Sequence, residues 1–202
     1  MQRPRGRGRF TRHVLTLMTG NGVAQAINVA GTLLLARLFA PEAFGLFALF
    51  VTVVSIVAVL GGARYELAIM LPDSDEEAAN ILALAALVMA GIALAAAVVI
   101  AGYGFTISYL VGDVRLSPWM WAVPIALFVN GTYQMLALWC ARMKRFGRLA
   151  GTRVTQAFSI IVSQLALLPL LPTGGSALVA GWILGEYTAA IILLAQVLRD
   201  DG

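Results

Sequence analysis

Charge is what this sequence lacks. Asp, Glu, Lys and Arg make up 12% of its 202 residues, about half the share usual in a soluble domain. The deficit is uneven, so long stretches carry no charge at all. Cysteine is almost missing too. Cys140 stands alone, which excludes an internal disulfide. His13 is the single histidine, so the chain cannot assemble a Cys/His metal site. No catalytic residue, metal, cofactor or nucleic-acid partner is expected.

Hydrophobic residues fill the gap, at 60% of the chain and a mean hydropathy of +0.88. A helix of about 20 apolar residues crosses a hydrocarbon core of about 30 Å. Several segments reach that length. A β-barrel would instead show short segments alternating apolar and polar. Lipid leaves every backbone polar group to be satisfied internally, which selects helices. The expected fold is all-α, a polytopic membrane bundle of six transmembrane helices.

A basic tail at 1–13 holds Arg3, Arg5, Arg7, Arg9 and Arg12. The apolar runs of the 14–198 lobe follow at about 14–36, 43–63, 78–101, 119–141, 154–171 and 177–198, and residues 199–202 close the chain. The first run follows a basic segment like a signal peptide. It is too long for an h-region of about 7–15 residues, and no clean small-x-small site follows. With the N-terminus in the cytoplasm, Arg37 and Arg115 fall outside and the other 12 of the 14 basic residues fall inside. That bias predicts both ends in the cytoplasm of a bacterial inner-membrane protein. The basic loop from Arg142 to Arg148 reads as a topology signal or as a site for acidic lipid. Asp73, Ser74 or Asp75 is expected to cap the third helix, with Glu76 and Glu77 favouring its dipole.

Polar residues inside a span need a protein partner or water. Asn21, Gln25, Asn28 and Thr32 recur at helical spacing, within roughly 60° of arc. Thr152, Gln156, Ser159 and Ser163 repeat the pattern in the fifth helix. Asn130 and Gln134 sit one turn apart in the fourth, and Glu186 brings a carboxylate into the sixth. Counting at about 1.5 Å per residue places Gln25, Asn130, Ser163 and Glu186 near the bilayer midplane. This level predicts a polar substrate cavity lined by helices one, four, five and six, with Glu186 as a coupling candidate. The competing reading is hydrogen bonding between packed helices. By this count no basic residue shares the depth of Glu186. Gly91 with Ala95, and Gly181 with Gly185, mark expected packing faces. Gly20, Gly22 and Gly31 are expected to permit a bend in the first helix.

Two stretches carry a resemblance. Leu35 to Leu49, read as LARLFAPEAFGLFAL, is similar to the motif joining helices one and two in polysaccharide and O-antigen flippases. Arg64 to Pro72, read as RYELAIMLP, with Glu77-Ala78-Ala79-Asn80, resembles the segment after helix two in lipopolysaccharide-biosynthesis members. These belong to the multidrug/oligosaccharidyl-lipid/polysaccharide exporter superfamily. The resemblance implies a flippase for undecaprenyl-diphosphate-linked oligosaccharide, built of two six-helix lobes that work by alternating access. The six helices then correspond to the N-terminal lobe, and the implied partners are the lipid-linked oligosaccharide, membrane lipids and a C-terminal lobe or partner chain. It places Arg64 near the lipid diphosphate, against the alternative of a topology-setting arginine paired with Glu66. Arg37 and Glu42 read as turn residues. The alternatives are a multidrug-type exporter of the same superfamily and a nonfunctional truncated remnant. An enzyme would have only the acidic run 73–77 to build on.

A reporter active only in the periplasm, fused after Gly202, is expected to be silent. Activity there would overturn the helix count.

Overall fold

Apolar runs set the helices of this protein, but charges do not end them. The computed structural model describes residues 6–60, 64–72, 74–171 and 175–201, and side chains within 15–59, 67–72, 74–171 and 175–199. Arg3, Arg5, Asp73, the 172–174 turn and Gly202 lie outside the described residues, as do the side chains of His13, Arg64 and Glu66. Seven α-helices appear: α1 (Gly6–Leu38), α2 (Pro41–Leu60), α3 (Asp75–Val111), α4 (Ser117–Met120), α5 (Ala122–Arg142), α6 (Phe146–Leu167) and α7 (Ser176–Asp201). Short 3-10 turns cover Arg64–Met70 and Val114–Leu116. The described residues contain no strand. The protein is an all-α helical bundle.

Each expected run has a helix, with α4 and α5 together covering the fourth. Three boundaries differ. α1 begins inside the basic segment, at Gly6. α3 runs ten residues past its expected end, and α6 starts at Phe146 rather than 154. A charge marks the edge of the bilayer, whereas a helix stops only where its backbone is capped. Ser74 is the N-cap of α3, its hydroxyl accepting from the Glu77 N–H at 3.2 Å. Gly112 ends the helix in the left-handed region at φ 97°, its N–H donating to the carbonyls of Ser108 and Tyr109. Asp113 starts the next turn by accepting from the Arg115 N–H at 3.0 Å. The Arg115 side chain hydrogen-bonds the same carboxylate and holds it below its usual range. That favourable contribution is present above the ordinary carboxylate value and is lost as pH falls through the lowered one.

α2, α3, α5 and α7 are long and apolar enough to cross a membrane. α1 and α6 are not among those four. The reason is their sequence: α1 carries the Asn21, Gln25 and Asn28 series, and α6 carries Arg148, Arg153, Gln156 and Gln164. The two most polar helices pack together, and α6 lies between α1 and α7. α5 packs against α3 and α7, and α2 against α5 and α7. α1 and α2 share a tight turn at 39–40 and then diverge.

Glycine permits the two closest seams. At Gly181 a Cβ would strike Gln164, and at Gly185 the backbone of Ile160. On α1, Gly20 and Gly31 face Ala150 and Ile161. They are close-approach positions rather than the expected bend, and α1 is one continuous helix. Gly22 and Gly91 have open space, so the Gly91–Ala95 face does not pack within this chain.

Gly185→Leu is expected to cost about 1–3 kcal/mol through overpacking and to lower the thermal midpoint in detergent. Gly91→Leu should leave it unchanged. Equal shifts for the two would remove the packing role of the α6–α7 seam.

Candidate functional site

The divergence of α1 and α2 opens a cavity of ≈ 580 Å³. α1 supplies Asn21, Gln25, Asn28 and Thr32 to its wall. The 3.6-residue spacing puts them on one face, as expected, and all four are exposed. α6 supplies Arg153, Gln156 and Gln164, and α7 supplies Trp182 and Glu186. α2 adds Phe44, Phe47 and Val51. The lining helices are therefore α1, α2, α6 and α7.

Three expected wall residues fall elsewhere. Asn130, Gln134 and Ser163 do not line the cavity, and α5 contributes nothing to it. Gln134 is exposed on α5, and Ser163 is half-buried on α6. Asn130 instead lies on α5 within electrostatic reach of Glu186. Thr152 is buried and donates to its own helix at the Arg148 carbonyl, 2.9 Å away. A hydroxyl satisfied within its helix needs no polar surroundings.

The two ends of the cavity differ. Near the α1–α2 turn, Leu35, Ala43 and Leu178 form a buried apolar cluster with Phe39, Phe44 and Phe47 packed on it. Gly175, at φ 87°, lies so close to Ala43 that a Cβ would sit 2.7 Å from its carbonyl oxygen. Trp182 meets Phe47 and Phe50 edge-on, with ring centroids 6.5 and 6.1 Å away. The opposite end holds Asn21, Arg153, Gln156 and Glu186.

Glu186 is 5% exposed. The Gln156 amide donates from Nε2 to both carboxylate oxygens, at 3.0 and 2.9 Å. A second amide, Gln164, donates to the Leu178 carbonyl at 3.0 Å. Both bonds tie α6 to α7. Arg153 brings a cation to the cavity that Glu186 lines. It is exposed on the same cavity wall, one helical turn from Gln156, or about 4.5 Å of rise. The signal was available: Arg153 precedes Gln156 by three residues. A helix start at residue 154 leaves Arg153 in the loop, whereas α6 begins at Phe146 and carries it into the cavity wall.

Arg142 builds a second polar centre. Its Nη1 donates to the carbonyls of Ile69 at 3.1 Å and Pro72 at 2.9 Å. Its Nη2 donates to the Ser74 carbonyl at 3.0 Å, and its Nε to Asp75 Oδ1 at 3.2 Å. One guanidinium thus pins the end of the 3-10 turn and the start of α3 to the end of α5. The side chain is only 12% exposed, so Arg142 is more than a topology signal. Arg64 opens the same turn, and its side chain lies outside the described residues. Among the described residues no group of three or more His, Cys, Asp and Glu is placed to hold a metal.

The profile of the polysaccharide biosynthesis protein family matches residues 34–199. The chain belongs to that family. It is a multi-pass membrane protein of polysaccharide synthesis. No curated protein and no solved structure gave a significant match. The matched range takes in Arg64, Arg142, Arg153, Gln156 and Glu186, while the α1 amide face lies before it.

Arg142→Ala is expected to expose 67–74 to limited proteolysis, with local opening raised about tenfold or more, as loss of charged hydrogen bonds predicts. Arg142→Lys should recover only part of the protection, because an ammonium lacks the planar fork. Unchanged cleavage in the alanine variant would remove the clamp.

Proposed function

We propose that this chain is one helical lobe of a flippase that carries undecaprenyl-diphosphate-linked oligosaccharide across the bacterial inner membrane for polysaccharide and lipopolysaccharide synthesis. The observation that carries this reading is the graded composition of the cavity. One end offers amides and the Arg153 cation, and the end near the α1–α2 turn offers aromatic rings. Amides exchange hydrogen bonds with sugar hydroxyls in either direction. A guanidinium suits diphosphate oxygens. Phe47 and Trp182 give flat apolar surfaces to sugar rings.

In this reading the chain moves an intact molecule and is a carrier rather than an enzyme. All six long helices span the membrane, with both ends in the cytoplasm. α1 and α6 cross despite their polarity because their polar faces turn to the cavity instead of to lipid. The polar end then faces the cytoplasm and the aromatic cluster closes the periplasmic end. Arg64 contacts the diphosphate on the cytoplasmic side, as the resemblance implies. A second lobe, whether from a further segment or from a partner chain, covers the open side of the cavity. Glu186 couples substrate movement to an ion gradient by changing its charge.

In cells that export polysaccharide through this protein, Arg153→Ala and Glu186→Gln are each expected to cut export by about tenfold or more, the scale set by losing a charged hydrogen bond. Membrane levels of the protein should hold, and lipid-linked precursor should accumulate on the cytoplasmic leaflet. Normal export in both variants would refute the reading.

A further inference from the structure

Glu186 has two sides, and the cavity touches only one. Its other side faces α5, which packs on α7 and brings Asn130 near the carboxylate. One turn further along α5 lies Tyr133, packed in a core with Ala189, Ala190 and Leu193 of α7. Tyr133 is 4% exposed, and its hydroxyl has no hydrogen-bond partner among the described residues. Buried hydroxyls are almost always paired, with protein or with ordered water. The charged groups facing this one are Glu186 of α7 and Arg153 of α6, and Cys140 of α5 is its other titratable neighbour. α3 brings apolar side chains to the same core, among them Ile81, Leu82 and Met89. Further along α7 is a second buried orphan, the Gln196 Oε1.

These groups follow one line. α5 and α7 run side by side in the same direction, with Val123 and Val179 in one shared cluster and Cys140 and Val197 in the other. Glu186, Tyr133 and Gln196 follow in that order along the pair. The orphan Tyr133 hydroxyl, buried among apolar side chains, calls for water, which bonds to two to four polar partners, and Gln196 offers a second orphan acceptor further along α7.

We propose that a buried water bridges the Tyr133 hydroxyl to the Glu186 carboxylate, and that Tyr133 relays protons to Glu186 from the α5–α7 side. This rests on the reading of Glu186 as the coupling residue. The step balances without a redox partner. A hydronium from the bulk passes a proton to water beside Gln196. The Tyr133 hydroxyl takes a proton from that water as it gives its own to the bridging water, which protonates a Glu186 oxygen. One proton is added to Glu186, and the tyrosine ends as it began. The carboxylate is thus reached from a side that substrate in the cavity does not block.

Infrared difference spectra of the purified protein in lipid vesicles, stepped through pH, test this. Glu186→Gln identifies the carboxyl band by its loss. Tyr133→Phe keeps the ring and removes the hydroxyl. It is expected to shift that band and to slow its hydrogen–deuterium exchange about tenfold, the scale of one lost hydrogen bond. An unchanged band and rate in Tyr133→Phe would overturn the relay, as would the absence of any Glu186 band across the pH range. Should Tyr133→Phe fail to fold, 3,5-difluorotyrosine at position 133 decides, since it keeps shape and changes hydroxyl acidity. A shifted exchange rate supports the relay and an identical one overturns it. The measurement does not depend on export. Failure here leaves the translocation reading standing, and normal export in Glu186→Gln would not explain a lost relay.

Discussion

Hydrocarbon offers no hydrogen bonds, and the arrangement of these helices follows from that. Four helices are apolar enough to meet lipid on their own. α1 and α6 are not, and they pack against each other with their amides turned to a shared cavity. The seam between α6 and α7 completes the solution. Gln156 bonds to Glu186 and Gln164 to the Leu178 carbonyl, while Gly181 and Gly185 bring the backbones close enough for those bonds to form. Glycine and glutamine act as one device: the first removes the steric barrier and the second supplies the attraction.

The same seam places the charged groups. Glu186 is buried because α6 lies so near, and it is tolerated because the Gln156 amide donates to both of its oxygens. Arg153 shares its cavity one turn away, at the exposed wall. A carboxylate held by neutral amides keeps its freedom to change charge more readily than one locked in an ion pair.

Outside the bundle, Arg142 does for the 64–74 segment what the amides do for α6. Four donations from one side chain hold a turn that the buried Ile69 also anchors in the core. The segment so held is the one whose sequence resembles the lipopolysaccharide-biosynthesis members. Its geometry depends on a residue far along the chain, at the end of α5.

Sequence by itself determined the fold class, the six long helices and the α1 face of Asn21, Gln25, Asn28 and Thr32, because periodicity and hydropathy are local properties. It also singled out Glu186, since a carboxylate in an apolar run stands out without knowledge of its neighbours. Tertiary structure alone decided which helices enclose the cavity. Asn130 and Ser163 count to a similar depth in the sequence but do not line the cavity, and depth along a helix carries no information on rotation about it. Charge likewise could not show that α6 continues through Arg148 and Arg153, since a helix runs on past the bilayer edge until its backbone is capped. The partners of Glu186 and Arg142 come from helices distant in the chain, and only packing brings them together.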